Sequence, residues 1–212
     1  MSATMDPKKT RVMIWRLLGG AVVGAVASLL FFKFIGEPNM DLNDPSVLLA
    51  AAAGVTYLLI GLMVGLGVAA PKTGAHFLNV EDAEELREER HKIGTSSFAC
   101  ILIGIFVLAL ALAGGAIGSQ AALIVAVVCL VGIVALTVAG ARRYDELTRQ
   151  LALEGSAWGF FATLTLIGGW AALAHLGFVS WVEPLAFVGL LVFLQLLTAF
   201  VAVGRRGMLL PR

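Results

Sequence analysis

Residues 47–70 read VLLAAAAGVTYLLIGLMVGLGVAA, a run with no charged side chain. As an α-helix rising about 1.5 Å per residue, 24 residues reach about 36 Å, enough to cross a hydrocarbon core of about 30 Å. The run is far longer than a barrel strand of about 10 residues, and it lacks the alternation that a polar lumen imposes. A lipid-spanning segment must satisfy its own backbone hydrogen bonds, so the stretch is predicted to be a transmembrane helix.

Five further runs of similar character occupy 12–35, 96–113, 120–139, 156–176 and 184–203. The chain of 212 residues is 59% apolar and 14% charged, with a mean hydropathy of +0.94. Soluble domains are nearer 45 to 50% apolar and 25% charged, so a soluble globular fold is excluded. The expected fold is an all-α polytopic membrane bundle of six transmembrane helices, arranged as three antiparallel hairpins. The expected organisation is a tail (1–11), a first hairpin (12–70), a charged helical loop (71–95), a second hairpin (96–139), a helical loop (140–155), a third hairpin (156–203) and a tail (204–212). Pro38, Asn39, Asn43 and Pro45 break the first connection, and Gly114, Gly115 and Gly118 shorten the link between the third and fourth runs into a tight turn.

Lys8, Lys9 and Arg11 precede the first run as they would in a secretory signal. That run is longer than a signal core of about 7 to 15 residues, and it is read as a retained span. All of the 15 Lys and Arg except Lys33 fall on one side: on alternate connections, on the two tails or, for Arg16, at the tail-side end of the first run. Cations near span ends stay on the cytoplasmic side, so both termini are expected there, in a bacterial inner membrane. Trp15, Trp158 and Trp181 fall near span ends, where indole rings prefer the interface, whereas Trp170 lies inside span five and is read as a packing residue, the alternatives being a partner for its indole N–H or a pigment or lipid contact.

Small residues recur at intervals of four in spans one and two, as Gly20, Gly24 and Ser28 and as Gly61, Gly65 and Ala69. Such stripes let two backbones approach closely, and the two spans are expected to pack on one another inside the monomer. In the charged loop Asn79 is placed to cap a helix, with Glu81 and Asp82 in its first turn. Glu84, Glu85, Leu86, Arg87, Glu88 and Lys92 follow, with Glu88 and Lys92 spaced as an i,i+4 ion pair. The segment reads as a charged surface helix, a solvated face or a docking platform for a partner subunit. Asp145, Glu146, Leu147 and Arg149 form a similar element ahead of span five. Shifted by 61 residues, Glu84, Glu85 and Leu86 overlay Asp145, Glu146 and Leu147, which hints at a parallel duplication.

Ionisable residues deep in a bilayer mark ion paths and proton relays. Here they lie only near span ends, as Arg16, Lys33 and His175 do, which disfavours proton-coupled transport. No catalytic, metal or cofactor motif stands out, and Cys100 and Cys129 read as small apolar side chains. A net charge of +1 without a basic stripe argues against a nucleic-acid partner. Thr56, Tyr57, Thr137, Thr163, Thr165, Gln195 and Thr198 could line a neutral polar path. The expected role is a non-catalytic accessory or scaffold subunit of a larger membrane assembly, partnered by lipid, by other membrane subunits or by itself. The alternatives are a transporter or channel for a neutral or weakly charged solute, and an enzyme acting on lipid.

Overall fold

The computed structural model describes residues 22, 24–36, 39–72, 74, 83–141 and 144–206. Gly20, Trp15, Arg16, Asn79, Glu81 and Asp82 lie outside them, as does the side chain of Glu85. The described residues are all-helical with no strand. Five helices are long and apolar enough to cross a membrane: α2 (Pro45–Ala69), α4 (Arg90–Ala111), α5 (Ser119–Ala141), α6 (Glu146–His175) and α7 (Pro184–Arg205). Two shorter helices are α1 (Gly24–Ile35) and α3 (Ala83–Glu88).

Local chemistry explains where these helices start and stop. Asp44 caps α2 by accepting the Ser46 N–H at 2.8 Å, and Pro45 at the first helical position has no N–H to leave unpaired. That bond holds the Asp44 carboxyl below its ordinary range. Pro184 opens α7 in the same way. α6 ends on Gly177 at φ +80°, with the Phe178 N–H donating to the Leu173 carbonyl at 3.0 Å and Gly177 to Ala174 at 3.1 Å. This pairing satisfies carbonyls left over at a helix end, and the left-handed backbone it needs favours glycine.

One element boundary differs from the sequence reading. The charged segment does not run on as one helix to Ile93: α3 ends at Glu88, a turn falls at Glu89, and His91 to Ile93 belong to the first turns of α4. The helical loop expected at 140–155 is helix from Glu146 onward and runs directly into span five as the start of α6. This helix continues without a break for 30 residues, about 45 Å, and widens into a π turn at Leu164–Gly168. Nothing between Glu146 and Ser156 is a strong helix breaker, since a single Gly155 costs only about 1 kcal/mol.

The long helices form a row in which each touches the next: α5, α4, α2, α7, α6. α2 is central, and its most extensive contact is with α4. The main core joins Ala50, Ala51 and Val55 of α2 to Val107, Leu108 and Ala111 of α4. Phe31 and Phe32 of α1 and Leu185, Val188 and Val192 of α7 cover it. Buried alanines on the α2 side keep the backbones close, so dispersion rather than side-chain bulk holds the row together.

Candidate functional site

The tightest contacts lie along the seam between α2 and α4. Gly54 and Gly104 face one another: a Cβ added at Gly104 would stand 2.8 Å from the Leu58 nitrogen and 2.9 Å from the Gly54 carbonyl oxygen. One at Gly61 would stand 2.7 Å from the Ile101 Cγ1 and 2.9 Å from the Ser97 carbonyl oxygen. The buried Ser97 hydroxyl donates to the Gly61 carbonyl at 2.7 Å, a bond that only a bare backbone lets form across the seam. Among the described residues, the glycines of span two therefore face α4. Gly24 has nothing within 4 Å of an added Cβ, Ser28 is half-buried, and Ala69 is exposed. Two seams escaped the sequence reading. Gly189 of α7 meets Ala50 of α2, and Gly155 of α6 meets Ala199 and Ala202 of α7. The spacing of Gly155 and Gly159 carried the signal for the second.

Polar groups within the long helices are mostly consumed by the bundle itself. Thr56, Thr137 and Thr198 donate to carbonyls of their own helices, at 2.8, 2.8 and 2.9 Å. Tyr57 reaches from α2 to the Val192 carbonyl of α7 at 3.1 Å. The Trp170 indole, read from sequence as a packing residue, donates to the Ser180 carbonyl at 3.0 Å and ties the α6–α7 connection to its helix.

At the end of the bundle that carries the charged segments, α3 and the first turns of α4 border a cleft of about 550 Å³, floored by Val68, Phe98 and Leu136 and rimmed by Arg87, Arg90 and His91. An adjoining cleft of about 530 Å³ extends to Tyr144 and Asp145. Lys92 joins the two charged segments, lying 3.4 Å from both Glu89 and Asp145. The Glu88 to Lys92 pair predicted from spacing is replaced by these, because the turn at Glu89 changes which carboxylate Lys92 faces. The Asp145 carboxyl is held below its ordinary range, first by the Thr148 side chain and then by Lys92.

Of the other residues read as a docking face, Glu84 and Arg87 form an exposed pair at 3.9 Å, and Glu88 and Arg149 are exposed. Glu146 accepts from Gln150 at 3.1 Å. Leu86 departs from the expectation. It is fully buried against Val68 and Ile93, and so anchors α3 to the bundle instead of facing a partner. Leu147, its counterpart in the 61-residue shift, is exposed. Gly94 looks toward α2, whereas Gly155 looks toward α7. The two segments thus make different contacts where the shift aligns them.

The same end of the α6–α7 pair is fastened by Arg206, whose Nη2 lies 2.8 Å from Glu154 Oε2, and by Arg205, 5.2 Å over the Trp158 ring. Both members of the ion pair are about one-third exposed. In a double-mutant cycle, Glu154→Gln and Arg206→Gln should therefore show a coupling of about 0.5 to 1 kcal/mol, read as detergent thermal stability. Additive effects would mean the pair contributes nothing.

Among the described residues no three His, Cys, Asp or Glu side chains gather as metal ligands. The two clefts carry charges of both signs beside apolar side chains. Compared with protein-family models, curated proteins and solved structures, the chain gives no match.

Proposed function

We propose that the protein is a non-catalytic accessory or scaffold subunit of a larger membrane assembly, spanning a bacterial inner membrane six times as three antiparallel hairpins with both termini cytoplasmic. The observation that carries the reading is the open flank of the row: 17% of the spanning window of α5 and 6% of that of α6 are buried. Lipid alone can cover such faces, but so can neighbouring subunits. The polar side chains of the central helices bond inward, as Tyr57 and Ser97 do, instead of lining a path. The mixed-charge clefts around Lys92 supply a second surface, on the cytoplasmic side, for a soluble or membrane partner.

Two measurements test this. In intact cells, Asn43→Cys should react with a membrane-impermeant thiol reagent and Glu88→Cys should not; the reverse pattern would overturn the orientation. After extraction in mild detergent, the chain should be recovered with another membrane protein at fixed stoichiometry, and the isolated chain in liposomes should leave glycerol and urea permeability unchanged. Recovery of the chain without a partner, together with accelerated solute flux, would replace the accessory reading by a channel or transporter for neutral solutes.

A further inference from the structure

The first cleft at the charged end has a floor drawn from three helices at one depth. Val68 stands two residues from the end of the apolar run 47–70, Phe98 two residues from the start of 96–113, and Leu136 three residues from the end of 120–139. The floor therefore lies just inside the hydrocarbon. Arg90, on the rim, is eight residues before Phe98 on α4, about 12 Å closer to water. The interfacial layer of a bilayer is about 5 to 8 Å thick on each side, so a long side chain at Arg90 reaches its phosphates. Arg87, also on the rim, lies 3.9 Å from Glu84 in an exposed pair, too weak in water to hold the guanidinium in place. Glu88 lines the same rim and is exposed. The cleft of about 550 Å³ thus sets charges of both signs at phosphate level above an apolar surface, with Phe98 52% exposed.

We propose that this cleft seats one phospholipid with a primary-amine headgroup: Arg87 and Arg90 hold the phosphate, Glu88 accepts from the ammonium, and an acyl chain runs over Phe98 and Leu136. Charge complementarity selects this occupant. Two guanidiniums match a phosphate diester, which offers two non-bridging oxygens. Lys92, the next cation along, is already engaged by Glu89 and Asp145. A carboxylate on the same rim repels a headgroup that is only anionic and attracts one that also carries an N–H cation. The floor separates a lipid from a free phosphate or a soluble peptide, because its depth in the bilayer is reached by acyl chains or by another membrane-embedded segment. The inference rests on α4 and α5 crossing the bilayer, and on neither the orientation of the chain nor the accessory reading. The adjoining cleft around Lys92 stays available to a partner.

The test uses the full chain, delipidated in detergent, with lipid adducts followed by native mass spectrometry. The unaltered chain should bind phosphatidylethanolamine about fourfold more tightly than phosphatidylcholine, whose trimethylated nitrogen donates no hydrogen bond, and than phosphatidylglycerol, which has no amine. Arg87→Gln combined with Arg90→Gln should lower the affinity for phosphatidylethanolamine about tenfold. Glu88→Gln should erase the preference between headgroups. Arg149→Gln, exposed at the same end but off the cleft, should change neither. All four positions are exposed, so the lipid-free variants should melt with the unaltered chain. Equal binding of the three lipids, full affinity in the double arginine variant, or an equal loss in Arg149→Gln would each overturn the proposal. So would displacement of the bound lipid by millimolar glycerophosphoethanolamine, the headgroup without its chains, since the floor would then contribute nothing. A cleft that takes up no lipid, the result expected if it is reserved for a protein partner, would overturn it as well.

Discussion

Substituting leucine for Gly61 should lower the melting temperature of the detergent-purified protein by about 6 to 12 °C, the shift expected for overpacking by about 3 kcal/mol in a chain of this size. The Cβ alone would enter the space of Ile101 Cγ1, at 2.7 Å, and of two backbone atoms of α4, at 2.9 Å. A side chain can turn away, but the Ser97 carbonyl and Ile101 nitrogen move only if the whole helix moves. Separating α2 from α4 would also break the Ser97 bond to the Gly61 carbonyl and open the core around Val55 and Val107. Even Gly61→Ala should be measurably destabilising. Gly24→Leu, which meets nothing within 4 Å, should stay within about 0.5 kcal/mol of the unaltered chain. Equal melting temperatures for Gly61→Leu and Gly24→Leu would remove the argument that the α2–α4 seam holds the fold.

Leu86→Ala should release α3 from the bundle. Leu86 is fully buried, but among the described residues its cluster contains only Val68 and Ile93, so the site can partly collapse and the loss should fall near the low end of large-to-small substitutions, about 2 kcal/mol. The sharper readout is local. Arg87 and Arg90 flank the turn between α3 and α4, and trypsin should cleave there several-fold faster once the anchor is gone, because cleavage requires the segment to open. Leu147→Ala, at an exposed position, should change neither stability nor cleavage. Unchanged proteolysis in Leu86→Ala would mean that α3 is held by its charges alone.

The contrast between these leucines and between these glycines shows what kind of information the chain carries openly. Leu86 and Leu147 occupy matching places in similar acidic segments, and Gly24 and Gly61 occupy matching places in similar stripes. In each pair one member is buried or closely packed and the other is open. Residue identity and spacing are the same, and the difference comes from what lies opposite. Lys92 is a parallel case. Spacing pointed to Glu88, while the turn at Glu89 and the approach of α6 give it Glu89 and Asp145.

Run length, composition and the absence of alternation are sufficient for the helical class and for long apolar helices, because in hydrocarbon a backbone has few ways to satisfy itself. The break at Pro45 and the turn near Gly114 are legible for a similarly local reason. Which helix sits beside which is a different matter. Lipid tails and protein interiors are about equally apolar, so hydrophobicity does not mark the buried side of a spanning helix as it does in water. Only shape distinguishes the two, and shape depends on both partners at once. The row α5, α4, α2, α7, α6, the seam at Gly61 and the burial of Leu86 therefore appear only when the helices are placed together.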